Sequence, residues 1–263
     1  GVGVLLGLTS VPALLHLGGV INLSLETVAR AVGICILVLA VLYFALLLAV
    51  GRCSGTEKKR IGVIFLLFLG CTVFWTGFEQ AGSSMNLFAE RLTNLVLVGW
   101  AVPASWLQSV NPLLIIVLAP VFGWLWIWLR SREPSIPVKF AVGLLLLGGG
   151  FLILAWGSTY ASEEHKVSPL WLVVTYFLHT SGELCLSPVG LSSVTKLSPR
   201  RWVGQMMGVW FMGASLGNLM AGLLGGLFDS LALPWLFGSV SLVAIGAGTI
   251  FVILTPWVKR LIA

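Results

Sequence analysis

Long apolar stretches are the feature of this chain that most restricts its fold. An α-helix needs about 20 apolar residues to cross the ~30 Å hydrocarbon core of a bilayer. Eight stretches are long enough: 2–22, 28–51, 61–88, 107–130, 138–160, 168–195, 203–227 and 235–258. Membrane β-strands would instead show about ten alternating residues each. Because 58% of the chain is hydrophobic and only 9% is charged, we expect an all-α, multi-pass membrane protein.

The basic residues between these stretches predict how the chain crosses the membrane. Twelve of the fifteen fall in every second loop or after the last stretch: Arg52, Lys58, Lys59, Arg60, Arg130, Arg132, Lys139, Lys196, Arg200, Arg201, Lys259 and Arg260. Cytoplasmic loops are enriched in Lys and Arg, so these loops and the C-terminus are expected in the cytoplasm. The net charge of +6 therefore indicates topology, and we expect no nucleic-acid partner.

The chain has no pattern typical of an enzyme or a metal protein. Its four cysteines lack metal-ligand spacing, and neither a nucleophile–base motif nor a glycine-rich phosphate loop is found. We expect no metal, no cofactor and no catalytic residue. A membrane enzyme is thereby disfavoured, while a non-transporting membrane scaffold remains an alternative.

Two acidic residues inside apolar stretches are the first candidates for function. Glu79 lies in IFLLFLGCTVFWTGFEQAGSSMNLF and Glu183 in WLVVTYFLHTSGELCLSPVGL. A carboxylate at membrane depth costs several kcal/mol unless it faces protein or water, pairs with a cation or binds a proton. Two such groups suggest a pathway through the membrane, with a structurally paired acid as the alternative for Glu79.

The polar residues around Glu79 recur in steps of three and four. In a single helix over 61–88, this spacing places Thr76, Glu79, Gln80, Ser83 and Asn86 on one broad face. We therefore predict a polar seam, in which helix-to-helix hydrogen bonding is an equal alternative for the Ser and Asn members.

Around Glu183, the sequence predicts a helix with a weakened centre. His179 is four residues before Glu183 and shares its face. Pro188 removes one backbone hydrogen bond and should bend the helix, as a moving gate requires. Ser187 is a further candidate site residue. For His179 we favour a packed, neutral ring, with a proton relay to Glu183 as the alternative.

Two other stretches each offer a candidate. Asn111 precedes Pro112 about one turn inside the outer interface, where capping of the helix start is an equal alternative. Trp210 falls in the middle of the seventh stretch, which argues against a place in the interfacial aromatic belt, and Ser215 follows it.

Four motifs in order resemble the proton-coupled oligopeptide transporters, a family of major-facilitator symporters for di- and tripeptides. They are FWTGFEQAGSSMNLFA (74–89), QSVNPLLIIVLAPVFGWLW (108–126), GELCLSPVGLSSVTKLSP (182–199) and QMMGVWFMGASLGN (205–218). They are similar to the seventh, eighth, tenth and eleventh helices of the family. The resemblance implies a C-terminal six-helix bundle at 61–263, preceded by an accessory transmembrane hairpin at 1–51 and a cytoplasmic linker at 52–60.

The same resemblance implies roles for individual residues. Glu183 would receive the amino terminus of the peptide and take part in proton coupling, with Asn111 near that end. Glu79 would serve the outer gate and proton coupling, and Trp210 would line a side-chain pocket. Many members have a serine four residues after this tryptophan, where this chain has Ala214, which puts a hydroxyl contact in doubt. His179 does not belong to the family pattern.

These expectations define a function and its partners. The protein would carry di- and tripeptides with protons across a bacterial inner membrane. Acidic side chains can bind only the ammonium end of a peptide. The cations that bind its carboxylate end would therefore come from an N-terminal six-helix half. The alternative with the same fold is a symporter of nitrate or another small organic solute.

Overall fold

The computed structural model describes residues 24–97 and 99–262. The first predicted stretch, 2–22, with the first helix of the accessory hairpin, lies outside the described residues. The helices are α1 (Leu25–Val50), α2 (Gly55–Phe78), α3 (Ser84–Leu92), α4 (Ser105–Gln108), α5 (Val110–Leu129), α6 (Ile136–Ser158), α7 (Leu170–Leu197), α8 (Val203–Gly225) and α9 (Leu233–Ile262). The strands β1 (Val96–Leu97) and β2 (Trp100–Ala101) pair antiparallel.

The long helices confirm seven of the predicted stretches, from 28–51 onward. Within the described residues, six helical segments are long and apolar enough to cross a membrane: Glu26–Val50, Gly55–Leu92, Ser105–Arg132, Ile136–Ser158, Arg200–Gly225 and Leu233–Leu261. Helix α7 has 28 residues and is long enough at 1.5 Å per residue. It is less apolar than the others because it carries the polar stretch around Glu183. The protein is therefore an all-α membrane protein.

The bundle is built around α6, which packs most extensively against α9 and α7, while α2 packs against α8 and α9. The α6–α7 crossing is tight at two glycines: a Cβ on Gly143 would lie 2.9 Å from the Gly182 carbonyl oxygen, and one on Gly182 would lie 2.7 Å from the Gly143 oxygen. Only glycine lets the two backbones approach this closely. The crossing fixes the position of the next residue, Glu183.

The prediction of one continuous helix over 61–88 is wrong. Helix α2 ends at Phe78, a 3₁₀ turn follows at Glu79–Gly82, and α3 starts at Ser84. At the junction, Ser83 has φ −129° and ψ −101°, which no helix contains. The hydroxyl of Ser84 donates to Gln80 Oε1 (2.5 Å), so a side-chain bond joins the two pieces. The predicted polar seam is therefore divided between two helices.

The predicted linker at 52–60 is mostly helical, because α2 starts at Gly55. Ser54 and Glu57 form a capping box: the Ser54 amide donates to Glu57 Oε2 (2.7 Å) and the Glu57 amide to Ser54 Oγ (3.2 Å). These bonds satisfy amides that a helix start leaves free. Only residues 51–54 separate α1 from α2.

Helix α1 lies against α8 and is fastened to it by polar contacts. The Tyr43 hydroxyl donates to Gln205 Oε1 (3.1 Å). Arg201 Nη2 donates to the carbonyl oxygens of Gly51 (2.9 Å) and Arg52 (2.8 Å). Apolar residues on the other side of α1 are exposed, as expected of a lipid-facing helix.

Candidate functional site

A hydrogen-bonded cluster joins α5 to α7 at the predicted acid. Asn111 Nδ2 lies 2.9 Å from Thr180 Oγ1 and 3.4 Å from Glu183 Oε2. The Thr180 hydroxyl donates to the Tyr176 carbonyl oxygen (2.7 Å), which leaves its lone pair to accept from Asn111. The structure thus brings together two predicted site residues from different helices.

Asn111 does not cap α5. The N-cap residue is Ser109, without a side-chain capping bond, and the Asn111 amide is used across the helix interface instead. Thr180 was missed by the sequence analysis. The available signal was its spacing, because it lies three residues before Glu183 on the same helical face.

Glu183 is half-buried, so part of the residue remains exposed. Within the described residues, neither Glu183 nor Glu79 has a basic side chain within ion-pair distance. Each of these two carboxyl groups can therefore attract a cation from outside the described residues.

Glu79 opens the 3₁₀ turn and is half-exposed. The next residue, Gln80, is fully buried and its amide group bonds to Ser84 and, at 3.5 Å, to the Thr76 carbonyl oxygen. The hydrogen bonds of Gln80 thus stabilise the helix break, while Glu79 at the same break stays half-exposed. A 3₁₀ turn advances about 120° per residue, compared with about 100° in an α-helix. The α-helical spacing therefore did not predict the difference in exposure between Glu79 and Gln80.

His179 is packed away from Glu183. Its ring is 1% exposed and lies 4.7 Å from the Phe151 ring, against Gly150, where a Cβ would come within 2.7 Å. Nε2 lies 3.2 Å from the Leu147 carbonyl oxygen. Because a carbonyl only accepts, Nε2 carries the hydrogen in this contact. His179 packs on α6, whereas Glu183 meets α5. This position agrees with the favoured interpretation of a packed ring rather than with the alternative, a relay to Glu183.

Trp210 also lies away from the cluster. It is 5% exposed, and its ring fills the space at Gly190, where a Cβ would come within 2.1 Å. It meets the Phe140 ring edge-on at 6.2 Å between centroids. Gly190 is seven residues beyond Glu183 along α7, which is about 10 Å. In this conformation Trp210 packs between α6, α7 and α8.

The two candidate serines differ in their surroundings. Ser215 is exposed and donates to the Phe211 carbonyl oxygen of its own helix (2.9 Å). Ser187 Oγ is buried and has no hydrogen-bond partner among the described residues. Neither serine bonds to the Asn111–Thr180–Glu183 cluster in the described part of the chain.

Comparisons with known proteins agree on one family. The sequence model of the POT family matches residues 26–250. The chain is 40% identical over 250 residues to the peptide transporter YePEPT of Yersinia enterocolitica subsp. palearctica serotype O:3 (strain YE-P4), covering 92% of this chain and 49% of the relative. It is 37% identical over 238 residues to the transporter YclF of Bacillus subtilis (strain 168), covering 90% and 48%.

A solved structure extends the agreement to the fold. The crystal structure of the peptide transporter POT in complex with sulfate superposes with a TM-score of 0.90 at 34% identity, over 98% of this chain and 52% of that one. This likeness confirms the predicted architecture, that of an all-α transporter of the major-facilitator type. The chain spans about half the length of the curated relatives it matches. With the family model matched over most of its length, the chain belongs to the POT family.

Proposed function

We propose that this chain forms the half of a proton-coupled peptide transporter that receives the amino terminus of di- and tripeptides. The observation that carries the proposal is the half-buried Glu183, which lies beside Asn111 between α5 and α7 and has no basic partner among the described residues. A peptide ammonium group would supply the missing counter-charge. The peptide transporters among its relatives support this reading.

Proton coupling follows from the two acids in this region. Glu79 and Glu183 are both half-buried and have no basic partner among the described residues. Either a proton or a peptide ammonium group can neutralise such a carboxylate, so the two ligands act on the same negative charge. In the proposal, Glu79 also serves the outer gate, where a cation on a neighbouring helix would hold it in one conformation and release it in the other.

The rest of the substrate site comes from elsewhere in the transporter. A zwitterionic peptide needs cations at its carboxylate end, so we assign that end to an N-terminal six-helix half. Within this chain, we assign 61–263 to the transporter bundle, 1–51 to the accessory hairpin and 52–60 to the junction that enters α2. Among the remaining candidates, the buried Trp210 and the buried Ser187 hydroxyl would meet the substrate only after α7 and α8 rearrange, whereas Ser215 is already exposed.

The proposed setting is a bacterial inner membrane with the basic loops and the C-terminus in the cytoplasm. Nitrate, the alternative substrate, would approach two acidic side chains, so the electrostatics of the site favour the peptide. We propose no catalytic role for any residue.

Uptake in proteoliposomes tests the proposal. The full-length transporter is reconstituted, an outside-acidic pH gradient is imposed, and accumulation of a labelled dipeptide is followed with and without a protonophore. We expect concentrative uptake that the protonophore abolishes, that unlabelled di- and tripeptides inhibit and that nitrate does not. Uptake that nitrate inhibits as strongly as dipeptides do would contradict the assignment.

A further inference from the structure

Lys139 is buried at one end of the bundle, which its position among the predicted loop residues did not suggest. It lies in the first turn of α6, and its side chain is 7% exposed. The ammonium group pairs with Glu133 and lies 4.1 Å from the centre of the Trp126 ring. A buried ammonium needs such partners, because an unpaired charge in a protein interior costs several kcal/mol.

A cavity of about 470 Å³ opens beside this ion pair, between the ends of α5 and α7. Lys139 and Lys196 line its polar end, and Phe122, Gly123 and Leu184 line its apolar end. A second cavity of about 330 Å³ borders the same ion pair and adds one more basic residue, Lys259. The first cavity thus has two lysines and one glutamate in its lining, and the third lysine lines the cavity beside it, which leaves an excess of positive charge in this region.

The polar end of the cavity is separate from the peptide site. Lys196 is thirteen residues beyond Glu183 along α7, or about 20 Å at 1.5 Å per residue. It belongs to the end of the bundle that carries the basic loops, which the proposed topology places in the cytoplasm. The apolar lining continues from this end toward the centre of the membrane, as an acyl chain would.

From this arrangement we propose that the cavity binds one anionic phospholipid of the cytoplasmic leaflet. Its phosphate group contacts Lys139 and Lys196, and one acyl chain lies along Phe122 and Leu184. Basic pockets between helices on the cytoplasmic side suit acidic lipid headgroups. The inference rests on the proposed membrane orientation but not on the proposed substrate.

The contacts of α5 give the lipid a structural consequence. Within the described chain, α5 has no buried residue and is held mainly through α7. Asn111 fastens one end of the helix, and the Trp126–Lys139 contact fastens the other. A lipid in the cavity would fill the space between α5 and α7 and should stabilise the protein.

Lipid binding to the full-length transporter tests this inference. The protein is delipidated in detergent, and phosphatidylglycerol, phosphatidylcholine or soluble glycerol phosphate is added. Native mass spectrometry counts bound lipid, and thermal unfolding measures the stabilisation. We expect one tightly bound phosphatidylglycerol, with a dissociation constant at least about fivefold lower than that of phosphatidylcholine, since one basic residue near a lipid headgroup contributes about that factor.

Two variants alter the cavity without disturbing the buried ion pair. Lys196→Gln removes an exposed charge at the rim, with Lys58→Gln as the control, an exposed lysine outside the cavity. Gly123→Leu fills the apolar end, where a Cβ meets nothing within 4 Å. Gly149→Leu is its control, because a Cβ there also meets nothing within 4 Å and Gly149 does not line the cavity.

We expect both cavity variants to weaken phosphatidylglycerol binding about fivefold or more and both controls to leave it unchanged. Four results would overturn the proposal. They are equal binding of phosphatidylcholine, competition by glycerol phosphate at the same concentration as the lipid, unchanged binding in either cavity variant, and equal loss in a control and its partner variant.

Discussion

Replacing Asn111 by leucine should weaken peptide binding by a predictable amount. The substitution removes one donor from two acceptors. The bond to Thr180 Oγ1 is of normal length at 2.9 Å and is worth about 1 kcal/mol. The contact with Glu183 Oε2 is long at 3.4 Å and only partly shielded from water, so it adds little. The Asn111–Thr180 bond holds the amide group of Asn111 in place beside Glu183. Its loss, about 1 kcal/mol at most, raises the dissociation constant of a dipeptide up to about fivefold.

A double-mutant cycle, measured by calorimetric peptide binding, tests whether the Asn111–Thr180 bond positions Glu183. Thr180→Val removes the acceptor of the same bond, so the Asn111→Leu and Thr180→Val pair should cost about as much as Asn111→Leu alone. Ser181→Ala is the matched control: its hydroxyl also donates to its own helix, at the Phe177 carbonyl oxygen, but does not meet Asn111. Additive losses in the cycle, or an equal loss in the Ser181 variant, would refute the proposed positioning of Glu183.

Three further variants test other parts of the structure. Glu79→Gln should impair concentrative uptake more than counterflow, which needs no net proton movement, and equal losses in the two assays would indicate a packing role. Gln80→Leu should destabilise the protein by about 1–3 kcal/mol in thermal unfolding, because it leaves the buried Ser84 hydroxyl without its acceptor. Adding Ser84→Ala should restore part of the lost stability. His179→Phe should lower thermal stability but leave the pH optimum of uptake unchanged, and a shifted optimum would revive the proton relay.

The long apolar stretches were readable in the sequence because membrane crossing sets both length and composition. Six of them contain one long helix close to the predicted place, and a seventh, 61–88, is divided by a 3₁₀ turn. The ends were less predictable, since local side-chain bonds decide them. The capping box of Ser54 and Glu57 starts α2 inside the predicted linker, and the turn at Glu79–Gly82 divides a stretch that is apolar on both sides.

The candidate site was predictable only in its individual residues. Burial cost singles out Glu183 without any structure. Its partners depend on how α5 and α7 pack, so the bond from Asn111 to Thr180 had no signature in either stretch alone. Helical spacing failed for His179, because a four-residue step still leaves room for the ring to turn onto α6. The pattern of basic residues failed for Lys139, because it places this buried lysine in a loop.

The central claim, that Glu183 accepts the amino group of the peptide, is tested most directly by comparing a dipeptide with its N-acetylated form. Equilibrium binding of both is measured for the full-length transporter and for Glu183→Gln at one pH. Acetylation removes the ammonium charge, so it should weaken binding to the unmodified protein by at least tenfold, or about 1.4 kcal/mol, and change binding to the variant little. If Glu183→Gln still prefers the free dipeptide by the same factor, the amino group is recognised elsewhere and the account of this site is wrong.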